Sequence, residues 1–213
     1  MPNAAVAVSL VIGYVCGSLP WGLWLGRAVR GVDVRTLGSG NLGATNVYRS
    51  LGRGIGIATL ALDVAKGALP VLLVPHGPLG REFPGGSEWC AIAVGAMAVV
   101  GHVWTMFAGF RGGKGVATAA GVLLSLAPMA MLYTVIVFVL TVTLTRYISL
   151  ASIFGAATFP VALAVLSPRG VHQPVFGLGV MVALLLIVRH RDNIARLRRG
   201  EERRFSLGRG GSG

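Results

Sequence analysis

Three polar segments interrupt an otherwise apolar sequence, and each carries residue types suited to holding a phosphate. The first runs Gly38-Ser39-Gly40-Asn41-Leu42-Gly43-Ala44-Thr45-Asn46-Val47-Tyr48-Arg49. Its small residues let backbone N–H groups come close to an anion. Ser39, Asn41, Thr45 and Asn46 add neutral donors, and Arg49 adds a planar fork that matches phosphate oxygens. The opening spells GxGxxG, with Asp63 20 residues after Gly43. A dinucleotide site needs a strand before that motif and a βαβ unit around it; residues 4–25 read instead as a membrane helix. A polar turn with small-residue helix packing is the plainer reading of the segment taken alone.

The second segment runs from Gly101-His102 to Phe110-Arg111-Gly112-Gly113-Lys114-Gly115-Val116-Ala117-Thr118. A nucleotide P-loop requires GxxxxGK[ST], but Ala108 stands at the first glycine position and Gly115 follows the lysine. What remains is an anion cradle: flexible N–H donors, Lys114 and the start of a helix just beyond. A lysine at a span end is also a common topogenic charge, although an anchor alone does not need three glycines. His102, on an apolar helix, fits packing as well as function. The third segment runs His190-Arg191-Asp192-Asn193-Ile194-Ala195-Arg196-Leu197-Arg198-Arg199-Gly200-Glu201-Glu202. His190, Asn193 and Leu197 share a helix face. A basic juxtamembrane helix on lipid headgroups explains the arginines better than it explains His190 and Asn193. Asp63 and Lys66, three apart in an apolar run, are predicted to pair with each other. They serve either a functional site or a lock between helices.

The elements that must carry these segments are membrane helices. Of 213 residues 54% are hydrophobic and only 12% charged, about half the charge of a soluble domain. Residues 1–26, 115–145 and 147–168 contain no Asp, Glu, Lys or Arg, and a spanning helix needs roughly 20 such residues. Spans are expected at about 4–25, 55–74 and 89–110, with further apolar segments in 115–145, 151–167 and 174–189. Loop signals separate them at Pro75–Gly86 and Ser167–Pro174. The net charge of +12 is read as topology and anionic headgroups, not nucleic acid. Cys16 and Cys90 lie in or beside apolar segments and imply neither a disulfide framework nor a metal site. The N-terminus lacks the basic start of a signal peptide.

Parity decides the number of crossings. If 115–145 crosses once, the arginine-rich tail lies outside, against the positive-inside rule. If it crosses twice, with a bend near Pro128, all of the 19 basic residues except Arg81, Arg169 and Lys66 lie on the cytoplasmic side. The expected fold is therefore all-α: a polytopic membrane bundle of seven transmembrane helices, N-terminus outside and C-terminus cytoplasmic. It forms a single domain over 1–213, with a disordered tail from about 203. Two crossings in so short a stretch require short helices or a sunken loop at Gly112–Gly115, and sunken backbone is tolerated where it lines a polar cavity.

Taken together the segments resemble the bacterial acyl-phosphate:glycerol-3-phosphate acyltransferases, a seven-span family. The pattern SGNxGATNxxR is matched at Ser39, Gly40, Asn41, Gly43, Ala44, Thr45, Asn46 and Arg49. GHxxPxxxxFxGGKGVAT is matched at Gly101, His102, Phe110 and every position from Gly112 to Thr118. HxxNIxRLxxGxE is matched at His190, Asn193, Ile194, Arg196, Leu197, Gly200 and Glu202. Thr105 departs from the pattern, standing where the family has proline.

The resemblance implies transfer of a fatty acyl group from acyl phosphate to the 1-hydroxyl of sn-glycerol 3-phosphate. The products are lysophosphatidate and inorganic phosphate, in the first acylation step of phospholipid synthesis. It implies Ser39, Arg49, Lys114, His190 and Asn193 as catalytic and glycerol-3-phosphate-recognising residues. The acyl phosphate group is expected on Thr45 and Gly112–Gly115, with Gly40, Asn41, Asn46, Thr118 and Arg196 as further substrate contacts. No cofactor or metal is expected, because the carboxylates are few and scattered. A monomer in the bacterial cell membrane is expected, its site on the cytoplasmic side, among membrane lipids and linked to a soluble phosphate acyltransferase that supplies the donor. A transporter for a phosphorylated solute and a non-catalytic paralogue are the alternatives. No second copy of the glycine-rich segments supports the repeat architecture of common transporters. An aspartate cluster for CDP-alcohol chemistry is missing, and neither His102 nor His190 begins an HxxxxD motif.

Overall fold

The computed structural model describes residues 2–206, with the side chains of residues 2 and 3 left aside; the expected disorder of the tail falls outside the described residues from 207 to 213. Every regular element among the described residues is helical, as the hydrogen-bonding demand of a lipid environment requires. The chain divides at Leu126/Ala127 into two compact units.

The first unit holds α1 (Pro2–Ser18), α2 (Trp21–Arg30), α3 (Ala44–Leu51), α4 (Arg53–Leu73), α5 (Pro78–Glu82), α6 (Gly86–Val103) and α7 (Val116–Leu126). Its helices approach through small residues, the usual device where lipid removes any hydrophobic drive between helices. A Cβ at Gly17 would collide with the backbone of Ala98, one at Gly101 with the Tyr14 carbonyl, and one at Gly67 with the Thr118 carbonyl. α1 thereby lies against α6, and α4 against α7. Val94, Ala98, Val99 and Val122 form the dry centre.

The second unit holds α8 (Pro128–Thr145), α9 (Ile148–Leu166), α10 (Pro174–Arg189) and α11 (Arg191–Arg198). Ala151, Phe159 and Leu163 of α9 and Leu178, Val182 and Leu186 of α10 are buried. Leu132, Ile136, Leu140 and Leu144 leave an apolar face of α8 exposed, a face suited to lipid. The start of the tail is held, with the Phe205 N–H donating to the Arg146 carbonyl at 2.6 Å.

Among the described residues, five helical stretches are long and apolar enough to cross a membrane: Ala4–Arg30, Arg53–His76, Gly86–Ala108, Pro128–Thr145 and Ile148–Leu166. α10 passes the same test together with α11, the pair bent by 57°. α7 is apolar but only 11 residues long. The stretch 115–145 does break next to Pro128, which sits at the first position of α8, where proline's missing N–H costs nothing. The two pieces are unequal, 11 and 18 residues. The first span is also interrupted, at Leu19-Pro20, and α6 ends at Val103, earlier than the expected 110.

Candidate functional site

The first polar segment lies over a buried apolar cluster of Leu23, Val34, Leu42, Val47, Leu51 and Ala108. Asp33 starts a single 3-10 turn (Val34–Thr36), its Oδ1 accepting from the Arg35 N–H at 3.0 Å. Gly38 and Gly40 turn the chain at φ +60° and +68°, a region that costs other residues. Asn46 holds the loop from beneath. Its Oδ1 accepts from the Ser39 N–H at 2.9 Å, while its Nδ2 donates to the carbonyls of Asn41 (2.9 Å) and Leu37 (3.1 Å). Asn41 Oδ1 accepts from the Gly43 N–H at 2.8 Å. These asparagines were expected as donors to an anion, yet their side-chain bonds shape the loop, and Asn46 is buried. Ser39 and Arg49 are exposed, with Arg49 one turn after Thr45 on α3.

The second segment folds back onto the end of α6. The Gly112 N–H donates to the Val103 carbonyl and the Gly113 N–H to the His102 carbonyl, both at 3.1 Å. A Cβ on Gly112 would strike the His102 carbonyl, and one on Gly113 would strike the His102 imidazole. These two N–H groups pin the loop to the end of α6. The donors beyond the pin are Lys114 and the first turn of α7. The Ala119 N–H makes the bond to Gly115 O at 2.8 Å, so the N–H groups of Val116, Ala117 and Thr118 precede it. A helix start with unused N–H groups and a positive dipole end favours an anion.

Beneath this loop lies a buried polar network. Lys66 Nζ sits 2.7 Å from Asp63 Oδ1, confirming the predicted pair, and donates to the Leu19 carbonyl at 2.7 Å. His102 Nδ1 lies 3.7 Å from the same Asp63 oxygen and 3.1 Å from Thr118 Oγ1. Asp63, Lys66, His102 and Thr118 are all at most 6% exposed. Thr118 was expected to meet substrate; here its hydroxyl faces His102 in the interior.

Ser39, Gly40 and Asn41 from the first segment and Arg111 and Gly112 from the second line one open cleft, together with Asp33, Arg35 and Thr36. Arg35 is committed to Asp33, with Nε and a terminal nitrogen at 2.9 and 2.6 Å from its two oxygens. That guanidinium holds the Asp33 carboxyl well below the usual carboxylate range. Arg111 brings a further cation to the cleft. The sequence had marked it only as an unassigned position between Phe110 and the glycines.

In the second unit, His190 ends α10 and is 2% exposed. Its Nδ1 lies 2.7 Å from the Leu186 carbonyl, which accepts only, so Nδ1 carries the proton and Nε2 is the basic nitrogen of the neutral ring. Glu202 is the hub of this region. Its Oε1 accepts from Asn193 Nδ2 and Ser149 Oγ, and its Oε2 from Arg196 Nε, each at 2.7 Å. Burial raises the Glu202 pKa, but the bonds from Asn193, Ser149 and Arg196 outweigh it and hold the carboxyl below its ordinary value. Asn193 and Arg196, expected at substrate, both reach this carboxylate. The sequence signal for Glu202 was its place as the last residue of the HxxNIxRLxxGxE match.

A family model described as glycerol-3-phosphate acyltransferase matches residues 7–200. Proteins of that name from Geobacter sulfurreducens and Geobacter metallireducens are 49% and 52% identical, over 91% and 94% of this chain and 94% and 98% of their own length. A crystal structure of PlsY (YgiH), an integral membrane glycerol 3-phosphate acyltransferase in its glycerol 3-phosphate form, is similar with a TM-score of 0.84. It shows 36% identity and is covered over 96% of its chain by 94% of this one. The lysophosphatidic acid form of the same enzyme gives a TM-score of 0.81 at 35% identity. With both glycine-rich segments and the third as far as Gly200 inside the matched range, this chain belongs to the glycerol-3-phosphate acyltransferase family.

Proposed function

We propose that this protein transfers a fatty acyl group from acyl phosphate to the 1-hydroxyl of sn-glycerol 3-phosphate at the membrane, releasing lysophosphatidate and inorganic phosphate. The observation that carries the reading is the near-complete likeness to an acyltransferase solved in both a glycerol 3-phosphate form and a lysophosphatidic acid form. The substrate hydroxyl attacks the acyl carbonyl, the bond from the acyl carbon to the phosphate oxygen breaks, and phosphate leaves. The hydroxyl proton passes to His190 Nε2 or directly to the departing phosphate. The donor is a mixed anhydride and already activated, so orientation and charge stabilisation suffice without a covalent enzyme intermediate.

In this reading Lys114, Arg49 and the start of α7 bind the phosphates. Ser39, Gly40, Asn41 and Thr45 shape the cleft, His190 and Asn193 serve glycerol 3-phosphate, and Arg196 holds the third segment through Glu202. The chain acts as one domain and as a monomer. Its seven crossings count α7 and α10, with the N-terminus outside and the site on the cytoplasmic side of a bacterial cell membrane. A soluble enzyme that makes acyl phosphate feeds it. Purified protein in lipidic mesophase, given palmitoyl phosphate and glycerol 3-phosphate, is expected to form lysophosphatidate and phosphate in equal amounts. Lys114→Ala lowers turnover by about 100-fold or more, the scale of losing a key charge stabiliser. Normal turnover in that variant contradicts the assignment of the loop.

A further inference from the structure

We propose that Asp63, Lys66 and His102 are positioning residues that set the Gly112–Gly115 loop for phosphate binding; this rests on the reading that the loop receives a substrate phosphate. Two buried charges are an expensive way to hold helices together. Desolvation costs each ion several kcal/mol, and a well-packed apolar pair often locks helices at least as firmly. The arrangement of this pair points elsewhere.

Asp63 Oδ1 lies between Lys66 Nζ at 2.7 Å and His102 Nδ1 at 3.7 Å. Lys66 reaches out of α4 to the Leu19 carbonyl, in the break between α1 and α2. His102 touches both ends of the loop. Its own carbonyl accepts the Gly113 N–H, its ring leaves no room for a side chain on Gly113, and its Nδ1 meets Thr118 in the first turn of α7. Lys114 lies between those two pins. Asp63 Oδ2 and Ser18 Oγ are buried without a hydrogen-bond partner among the described residues. Both line one small pocket with Lys66, His102 and Gly113, so the polar atoms of the network converge on the underside of the loop. The backbone bond from Gly113 to the His102 carbonyl does not depend on the ring. Loss or rotation of the imidazole would nevertheless remove the surface packed against Gly113 and the contact to Thr118, and small misplacements of a binding group are costly.

The test separates KM from kcat and both from stability, using His102→Ala, His102→Asn and the neutral double variant Asp63→Asn/Lys66→Met. In His102→Ala and in the double variant, KM for at least one phosphate-bearing substrate rises about 10-fold or more while kcat stays within about 3-fold, as loss of binding alone requires. His102→Asn, which returns a polar atom near the Nδ1 position, recovers most of that loss. A lower melting temperature with unchanged KM in the folded variants overturns the proposal and leaves a lock between helices. So does a fall in kcat at constant KM. Failure of the wild-type protein to use acyl phosphate strikes the underlying reading instead, and shows itself before any variant is measured.

Discussion

Glu202 gathers three donors on one buried carboxylate, and its ionised form is what they bind. Its folded pKa is depressed, so the stability it contributes is present above the unfolded carboxylate value, about 4.3. That stability is lost as pH falls through the folded value. Thermal stability is therefore expected to hold from neutral pH to about 4.5 and to drop below it. Glu202→Gln flattens this acid limb and costs about 1.5–3 kcal/mol at pH 7, the range for hydrogen bonds to a charged group. A melting-temperature series against pH on both proteins checks this. Thr105 is a second case. Its φ of −68° is one that proline adopts, so the backbone keeps the geometry the family's proline would impose. The threonine adds a hydroxyl bond to the Ser18 carbonyl and accepts the Phe107 N–H at 3.3 Å. Thr105→Pro gains about 0.4–1 kcal/mol from the unfolded chain and loses two hydrogen bonds, about 1–3 kcal/mol together. The expected result is an active protein with a modestly lowered melting temperature.

At the scale of elements, α7 closes the glycine loop and rests on α4 through Gly67. A Cβ there would meet the Thr118 backbone. Gly67→Ala is expected to destabilise by about 1–3 kcal/mol, as overpacking does, and to lower activity with it; unchanged melting would show that the helices part without cost. The helices themselves were legible in the sequence because lipid leaves few choices: an uncharged apolar run is a helix, and Pro128 and the Pro- and Gly-rich stretch 75–86, where the short α5 sits, announce breaks. The ends were less legible. α6 stops at Val103 because Thr105 caps a 3-10 turn, Met106–Ala108, and sends the chain back over the helix end, a tertiary event that hydropathy does not register. The same holds for the site. The types and spacing of Lys114, Arg49 and His190 were readable, whereas the partners of Asn46, Gly112, Gly113 and Asn193 were not. Whether an amide faces a ligand or a neighbouring carbonyl is settled by a fold that brings distant residues together.

For the whole molecule, the proposed orientation rests on the charge distribution. The basic residues cluster in the proposed cytoplasmic segments, leaving Arg81 and Arg169 on the other side. In a variant lacking Cys16 and Cys90, a cysteine introduced at Arg81 should react with a membrane-impermeant maleimide on intact cells, and one at Ser206 only after permeabilisation. The reverse pattern would invert the topology and move the glycine segments outside. The exposed apolar face of α8 is suited to contact with lipid chains.

The central claim is the chemistry of the donor, and one measurement addresses it directly. Purified protein in lipid receives glycerol 3-phosphate with either palmitoyl phosphate or palmitoyl-CoA, and lysophosphatidate is quantified by mass spectrometry. Lysophosphatidate from the acyl phosphate and none from the thioester is the predicted result. Product from the thioester alone would keep the acyltransferase and contradict the assignment of acyl phosphate as its donor.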